Sequence, residues 1–241
     1  ARAVNRNITI EICVGDLESA LEAERGGANR VELCDNLAVG GTTPGPGTIA
    51  VACARLKIPV HVLIRPRGGD FLHSESELAA LRLDVEAAKS LGAAGVVFGF
   101  LNEDATIDRG RTEQFIALSR PMSVTFHKAF DQTPNPLDAL DCLIELGVDR
   151  VLTSGCRASA EDGVETLAKL VERSAGRIAV MAGGRLTLEN LGRVVERSGV
   201  SEIHLGSAAT RLRKSSMSTQ PIDGSEIDWP ATNADAVRRI L

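Results

Sequence analysis

Eight short apolar runs recur along this chain, each followed by a helical pattern, and that alternation narrows the fold more than any other feature. The runs are Ile8–Val14, Arg30–Cys34, Pro59–Arg65, Gly95–Gly99, Met122–His127, Arg150–Ser154, Ile178–Ala182 and Glu202–Leu205. Strict alternation of strand and helix argues for a parallel sheet. Eight such units in 241 residues argue for closure into a single (β/α)8 TIM barrel. One phrase recurs before the second, fourth, sixth and eighth runs: a helix-ending glycine (Gly27, Gly92, Gly147, Gly199), a short turn, then a strand. Helices are expected over Asp16–Arg25, Ser74–Leu91, Pro136–Leu146, Ser159–Ser174, Leu188–Ser198 and Asn233–Leu241. Asp16 reads as an N-cap, and Ser74 with Glu77 as a capping box. Residues 1–7 read as a tail without a signal peptide and 8–241 as one domain. The patternless segment 211–226 is expected to be a flexible loop.

Strand parity then sorts the side chains, because successive residues point to opposite faces. Ile8, Ile10, Ile12 and Val14 oppose Thr9, Glu11 and Cys13. Val31 and Leu33 oppose Arg30, Glu32 and Cys34. Val60, Val62 and Ile64 oppose His61, Leu63 and Arg65; Val124 and Phe126 oppose Ser123, Thr125 and His127; Ile203 and Leu205 oppose Glu202, His204 and Gly206. The aliphatic faces belong under the helices, so the polar faces must line the lumen. Barrel interiors are usually filled by branched apolar residues. A lumen carrying Glu11, Glu32, His61, Arg65, His127 and His204 therefore needs a paired network, because isolated buried charges are costly. The plain alternative is a polar plug that only sets register. Clustered titratable groups favour a site, with Glu11, Glu32 and His127 as candidate acid–base groups. Parity does not decide the Gly- and Ala-rich fourth, sixth and seventh strands.

Cys13 and Cys34 end the matching words Glu11-Ile12-Cys13 and Glu32-Leu33-Cys34. Neighbouring strands lie about 4.8 Å apart, so an aligned register would face both sulfurs into one space. Two thiolates suit a soft ion such as Cu(I); the alternative is two small buried hydrophobes. Gly183-Gly184 and Gly206-Ser207 follow the seventh and eighth strands, where glycine-rich loops commonly hold phosphate. Arg65 and Arg67 add cationic groups after the third strand, or a salt-bridged turn with Arg65 against Glu32.

Bulk composition trims the remaining choices. The net charge of −5 and a 3% aromatic content, with no Tyr and one Trp, disfavour nucleic acid as a partner. No stretch reaches the roughly 18 apolar residues of a membrane span. Five widely spaced cysteines without CxxC point to free thiols in a reducing compartment.

Several segments resemble signature words of the CutC family, the copper homeostasis protein family. They are Glu11-Ile12-Cys13, Glu32-Leu33-Cys34, Gly40-Gly41-Thr42-Thr43-Pro44, Ile64-Arg65-Pro66-Arg67-Gly68-Gly69-Asp70-Phe71, Thr125-Phe126-His127-Lys128-Ala129-Phe130-Asp131 and Leu152-Thr153-Ser154-Gly155-Cys156. The resemblance implies a TIM barrel, a cytoplasmic location, a homo-oligomer of two or four copies, and a Cu(I) site at Cys13 and Cys34. The residues alone also allow a second reading: an isomerase, lyase or hydrolase acting on a small anionic, phosphorylated or acidic metabolite. That metabolite would be held by Arg65, Arg67, Thr153, Ser154, Gly183, Gly184, His204, Gly206 and Ser207.

Overall fold

Strands β1 (Thr9–Val14), β2 (Arg30–Leu33), β3 (Val60–Leu63), β4 (Gly95–Phe98), β5 (Ser123–Phe126), β6 (Arg150–Thr153), β7 (Ala179–Gly183) and β8 (Glu202–Leu205) pair in chain order, all parallel, and β8 closes on β1. The structure is a computed structural model describing residues 8–215 and 228–240. Helices α1 (Leu17–Gly26), α2 (Pro46–Arg55), α3 (Glu75–Ser90), α4 (Arg109–Ser119), α5 (Pro136–Leu146), α6 (Val164–Ser174) and α7 (Leu191–Ser198) each follow the strand of the same number. The short α8 (Ala234–Arg238) follows β8 and packs on α1. This is the expected (β/α)8 barrel.

Local chemistry accounts for the helix boundaries. Asp16 accepts the Ser19 N–H at 2.8 Å and starts α1. Ser74 and Glu77 form both bonds of the capping box that starts α3. The expected helix from Ser159 begins only at Val164. Ser159–Gly163 instead turns against the loop after β7, with Ala160 N–H bonded to Gly184 O at 2.9 Å. Similarly, α7 starts at Leu191 because Asn190 Oδ1 accepts the Thr187 N–H and holds an open turn.

The segment 211–226, expected as a loop, opens in extended strand. Its first residues lie in strand β9 (Thr210–Arg213), paired antiparallel with β10 (Trp229–Thr232). That pairing joins residues far apart along the chain, so no local pattern announced it. Residues 216–226 fall outside the described residues, as do the tail at 1–7 and Leu241.

The parity reading holds around the barrel. Ile10, Ile12, Val14, Val31, Leu33, Val60, Val62, Val124, Phe126, Ile203 and Leu205 join the core between sheet and helices. The structure also settles β4, β6 and β7: Val96, Phe98, Val151, Val180 and Ala182 join that core, while Val97 packs inside with Cys34, Leu63 and Cys13. Glycines on β4 make room for two lumen imidazoles. A Cβ on Gly95 would come within 2.6 Å of the His61 ring, and one at Gly99, just past β4, within 2.5 Å of His127.

Candidate metal and thiol site in the lumen

The lumen is built in levels. At the amino-terminal end, Arg30, Arg150 and Glu202 open their strands. Glu202 accepts from Arg30 Nη2 at 2.8 Å and also pairs with Arg150 Nε. Arg150 reaches Ser123 Oγ at 3.4 Å and Thr125 Oγ1 at 3.3 Å, and Arg30 Nη2 lies 3.3 Å from Met181 Sδ. Alternating charges at this level satisfy one another, which a buried ionic cluster requires.

Glu11 forms the next level and is fully buried. Register places Arg30 on one side of it and His204 on the other. Its carboxylate uses both, accepting from Arg30 Nε at 2.5 Å and lying 2.7 Å from His204 Nδ1. Burial pushes the Glu11 pKa up, but the His204 bond and the Arg30 charge outweigh it and hold the group far below the usual carboxylate range.

The top level carries the soft donors. Strand tilt in a barrel staggers the register, so the two matching words do not sit side by side. Cys13 pairs with Glu32, and Glu11 with Arg30. The displacement is two residues, which preserves parity, and both sulfurs still enter one space, with Sγ atoms 3.8 Å apart. Cys34 Sγ lies 3.4 Å from Glu32 Oε2, and His204 Nε2 lies 3.8 Å from the same oxygen. Donor atoms of Cys13, Glu32 and His204 all fall within 4.8 Å of one another. Cys34 and Glu32 are buried, whereas Cys13 and His204 keep some exposure.

Electrostatics polarises this level. The Cys34 bond, against burial and with help from His204, draws the Cys13 thiol well below its ordinary value. Serving as that donor pushes Cys34 well above its own. Burial and the neighbouring Cys13 charge raise Glu32 to about 8. Burial disfavours the His204 imidazolium, but Glu32, Cys13 and Glu11 together lift its pKa well above 6.5. These shifts run in one direction: the proton leaves Cys13 most readily and is held more tightly by Cys34, Glu32 and His204.

The CutC family model matches residues 8–209. The chain belongs to the CutC family. It is 45% identical over 237 residues to a human copper homeostasis protein cutC homolog, covering 96% of this chain and 87% of the relative. It is 44% identical to a CutC family protein of Chromobacterium violaceum, covering 96% of each chain. A Streptococcus agalactiae protein crystallised under the CutC name superposes with a TM-score of 0.77 at 35% identity, over 83% of this chain and 98% of that one. A phosphoribosyl anthranilate isomerase from Thermococcus kodakaraensis gives a TM-score of 0.60 at 15% identity, over 97% of this chain and 96% of that one, and shares the fold alone.

In this CutC family barrel the expected site residues fall into distinct neighbourhoods. Glu11, Cys13, Glu32, Cys34 and His204 come together. His127 lies instead beside Phe71, ring centroids 4.8 Å apart, and its Nδ1 accepts the Ala129 N–H at 3.3 Å. Arg65 does not pair with Glu32; it binds the carbonyls of Val39, Gly41 and Gly69. Arg67 lies nearer the surface, against Glu77 and Asp70. Thr153 and Ser154 both donate to Asp131, through Thr153 Oγ1 at 2.5 Å and through Ser154 N–H and Oγ, so a carboxylate of this chain already fills that nest. Gly183 ends β7 beneath Leu152 and His204. Gly184 has a left-handed backbone with φ 109°, and Gly206-Ser207 leads into a short 3-10 turn.

Sequence reasoning passed over Arg30, Arg150, Glu202, Met181 and Asp131. Arg30 and Glu202 stand on the polar faces that parity had already turned inward, so the signal for them was present. Asp131 gave none: its role depends on the loop after β5 meeting the loop after β6.

Proposed function

We propose that this protein binds Cu(I) through Cys13 and Cys34 and serves copper homeostasis in a reducing, cytosolic compartment. The observation that carries the reading is the 3.8 Å separation of the two sulfurs. Thiolates at about 2.3 Å from a bound ion in an angled arrangement stand roughly 3.8 Å apart, whereas a linear arrangement needs about 4.6 Å. The thiol spacing therefore fits an angled pair with a further donor, and His204 and Glu32 stand beside it. Thiolate donors select soft ions such as Cu(I).

The surroundings suit loading. Cys13 loses its proton more readily than Cys34 and keeps some exposure, which suits it for the first contact. Cys34 must lose its proton for the second, and Glu32 Oε2 stands 3.4 Å from its sulfur. Binding should therefore release protons and tighten as pH rises. All five cysteines are free thiols, as a reducing compartment requires. Among the described residues no helix is long and apolar enough to cross a membrane. The names of the relatives point to the same copper role. We further propose a homo-oligomer, whose copy number sedimentation of the reduced protein would count.

The test is an anaerobic Cu(I) titration against a chromophoric competing chelator, with wild type and a Cys13→Ser/Cys34→Ser double variant. Wild type should take up one tight equivalent, and the variant should lose at least 100-fold in affinity. Equal stoichiometry and affinity in both would remove the thiol pair from copper binding.

A further inference from the structure

Arg65 is a buried cation without a carboxylate. It is 6% exposed. Nη1 donates to Val39 O at 3.2 Å and Gly41 O at 3.0 Å, and Nη2 donates to Gly69 O at 3.0 Å. Its Nε is shielded from solvent and has no partner. Carbonyls satisfy hydrogen bonds but leave the charge standing, and a buried uncompensated charge is costly. Arg30 and Arg150 solve that problem with Glu202. No ion pair reaches Arg65 among the described residues.

A second donor borders the same ring. The Arg65 guanidinium carbon lies 5.1 Å from the Phe71 centroid, and Phe71 lies 4.8 Å from His127. Because His127 Nδ1 accepts the Ala129 N–H, the ring proton belongs on Nε2. Burial, and then the Arg65 charge, keep this imidazole neutral near pH 7. Nε2–H is therefore a hydrogen-bond donor on an uncharged ring. Next along the chain, exposed Lys128 places Nζ over Gly184, 3.5 Å from where a Cβ there would sit. No ion pair involves Lys128 among the described residues either.

These groups sit just past β3 and β5, at the carboxyl end where barrel sites form. The thiols sit on β1 and after β2. The thiol and cationic groups adjoin at the mouth, since Gly41, whose carbonyl Arg65 binds, lies beside Cys34 Sγ. The side away from the thiols is the cationic side. We infer that the cationic side is a receptor for a small oxyanion, a carboxylate or a phosphate carried by a small metabolite, held by Arg65 and the His127 Nε2–H with Lys128 at the rim. The anion supplies the counter-charge that Arg65 lacks. Phe71 gives the receptor an apolar wall, which strengthens charge-assisted bonds. The site does not depend on the metal.

The reduced, metal-free chain would be titrated by calorimetry and thermal shift with inorganic phosphate and, separately, with malonate, using sodium chloride as the ionic-strength control. Saturable stabilisation by at least one of the two, beyond the chloride effect, is expected; which one binds identifies the source of the oxyanion. Exposed Lys128 can be changed without disturbing packing, so Lys128→Met should weaken binding about tenfold. Arg65→Lys, which keeps the charge but loses the fork, should weaken it further. On saturation the His127 Nε2–H resonance should shift. The Cys13→Ser/Cys34→Ser variant should bind the anion as wild type does, which separates this receptor from the copper site. The receptor is refuted if neither anion binds beyond chloride, or if binding is the same in Lys128→Met and Arg65→Lys with the His127 resonance unmoved.

Discussion

Glu11 Oε1 and His204 Nδ1 lie 2.7 Å apart across the seam where β8 closes on β1. The contact joins residues 193 positions apart and sets a buried carboxylate between His204 and Arg30. Glu11 thus ties barrel closure to the state of the thiol level, since His204 also borders Cys13 and Glu32.

Removing the Glu11 charge should therefore be expensive. Glu11→Gln leaves Arg30 with Glu202 alone and removes the carboxylate bonded to His204 Nδ1. Breaking a buried pair on one side costs about 3–5 kcal/mol. The exposed pair Arg197–Glu165, at 2.5 Å, makes the natural control, and its loss should cost about 0.2–1 kcal/mol. Urea unfolding of Glu11→Gln and Glu165→Gln compares them directly. Equal small losses would show that the lumen network contributes no more than surface charge.

The lumen histidines predict acid sensitivity. Burial lowers the His61 pKa from 6.5 to about 4. A depressed folded-state pKa means the unfolded chain takes up the proton first, so stability is whole above about 6.5 and declines as pH falls toward 4. At 1.36 kcal/mol per unit the loss from this group approaches about 3 kcal/mol. His61→Phe fills similar space without a titrating ring, so its stability should fall less over that window. Parallel curves for wild type and variant from pH 7 to 4 would refute the assignment.

Gly95 makes a packing prediction. Its absent Cβ leaves room for the His61 ring, which a methyl would meet at 2.6 Å. Gly95→Ala should cost about 1–3 kcal/mol through overpacking. Most of that cost should vanish in a His61→Ala background, where the ring is gone. A double-mutant cycle measures the coupling, and additive effects would mean the methyl clashes elsewhere.

The lumen was largely legible because parity is a local rule. Ile10, Ile12 and Val14 against Glu11 and Cys13 already assign the two faces of β1, and the same reading worked on β2, β3, β5 and β8. It faltered on β4, where Gly95 and Gly99 carry no side chain to read. The glycines turned out to be there for the imidazoles of His61 and His127, a reason located on other strands. The neighbourhoods of Arg65 and Thr153 were not legible either. Arg65 meets carbonyls of the loops after β2 and β3, and Thr153 meets Asp131, and neither partner follows from spacing.

The order of amino acids by itself determined the alternation of elements, their caps and which side chains turn inward, because each depends on near neighbours along the chain. The barrel's closure decided the rest. Strand tilt shifted β2 by two residues against β1, placing Arg30 rather than Glu32 beside Glu11 and Glu32 beside Cys13. That shift, together with β8 meeting β1, brings Cys13, Cys34, Glu32 and His204 into one space, because register is set by packing around the whole circle.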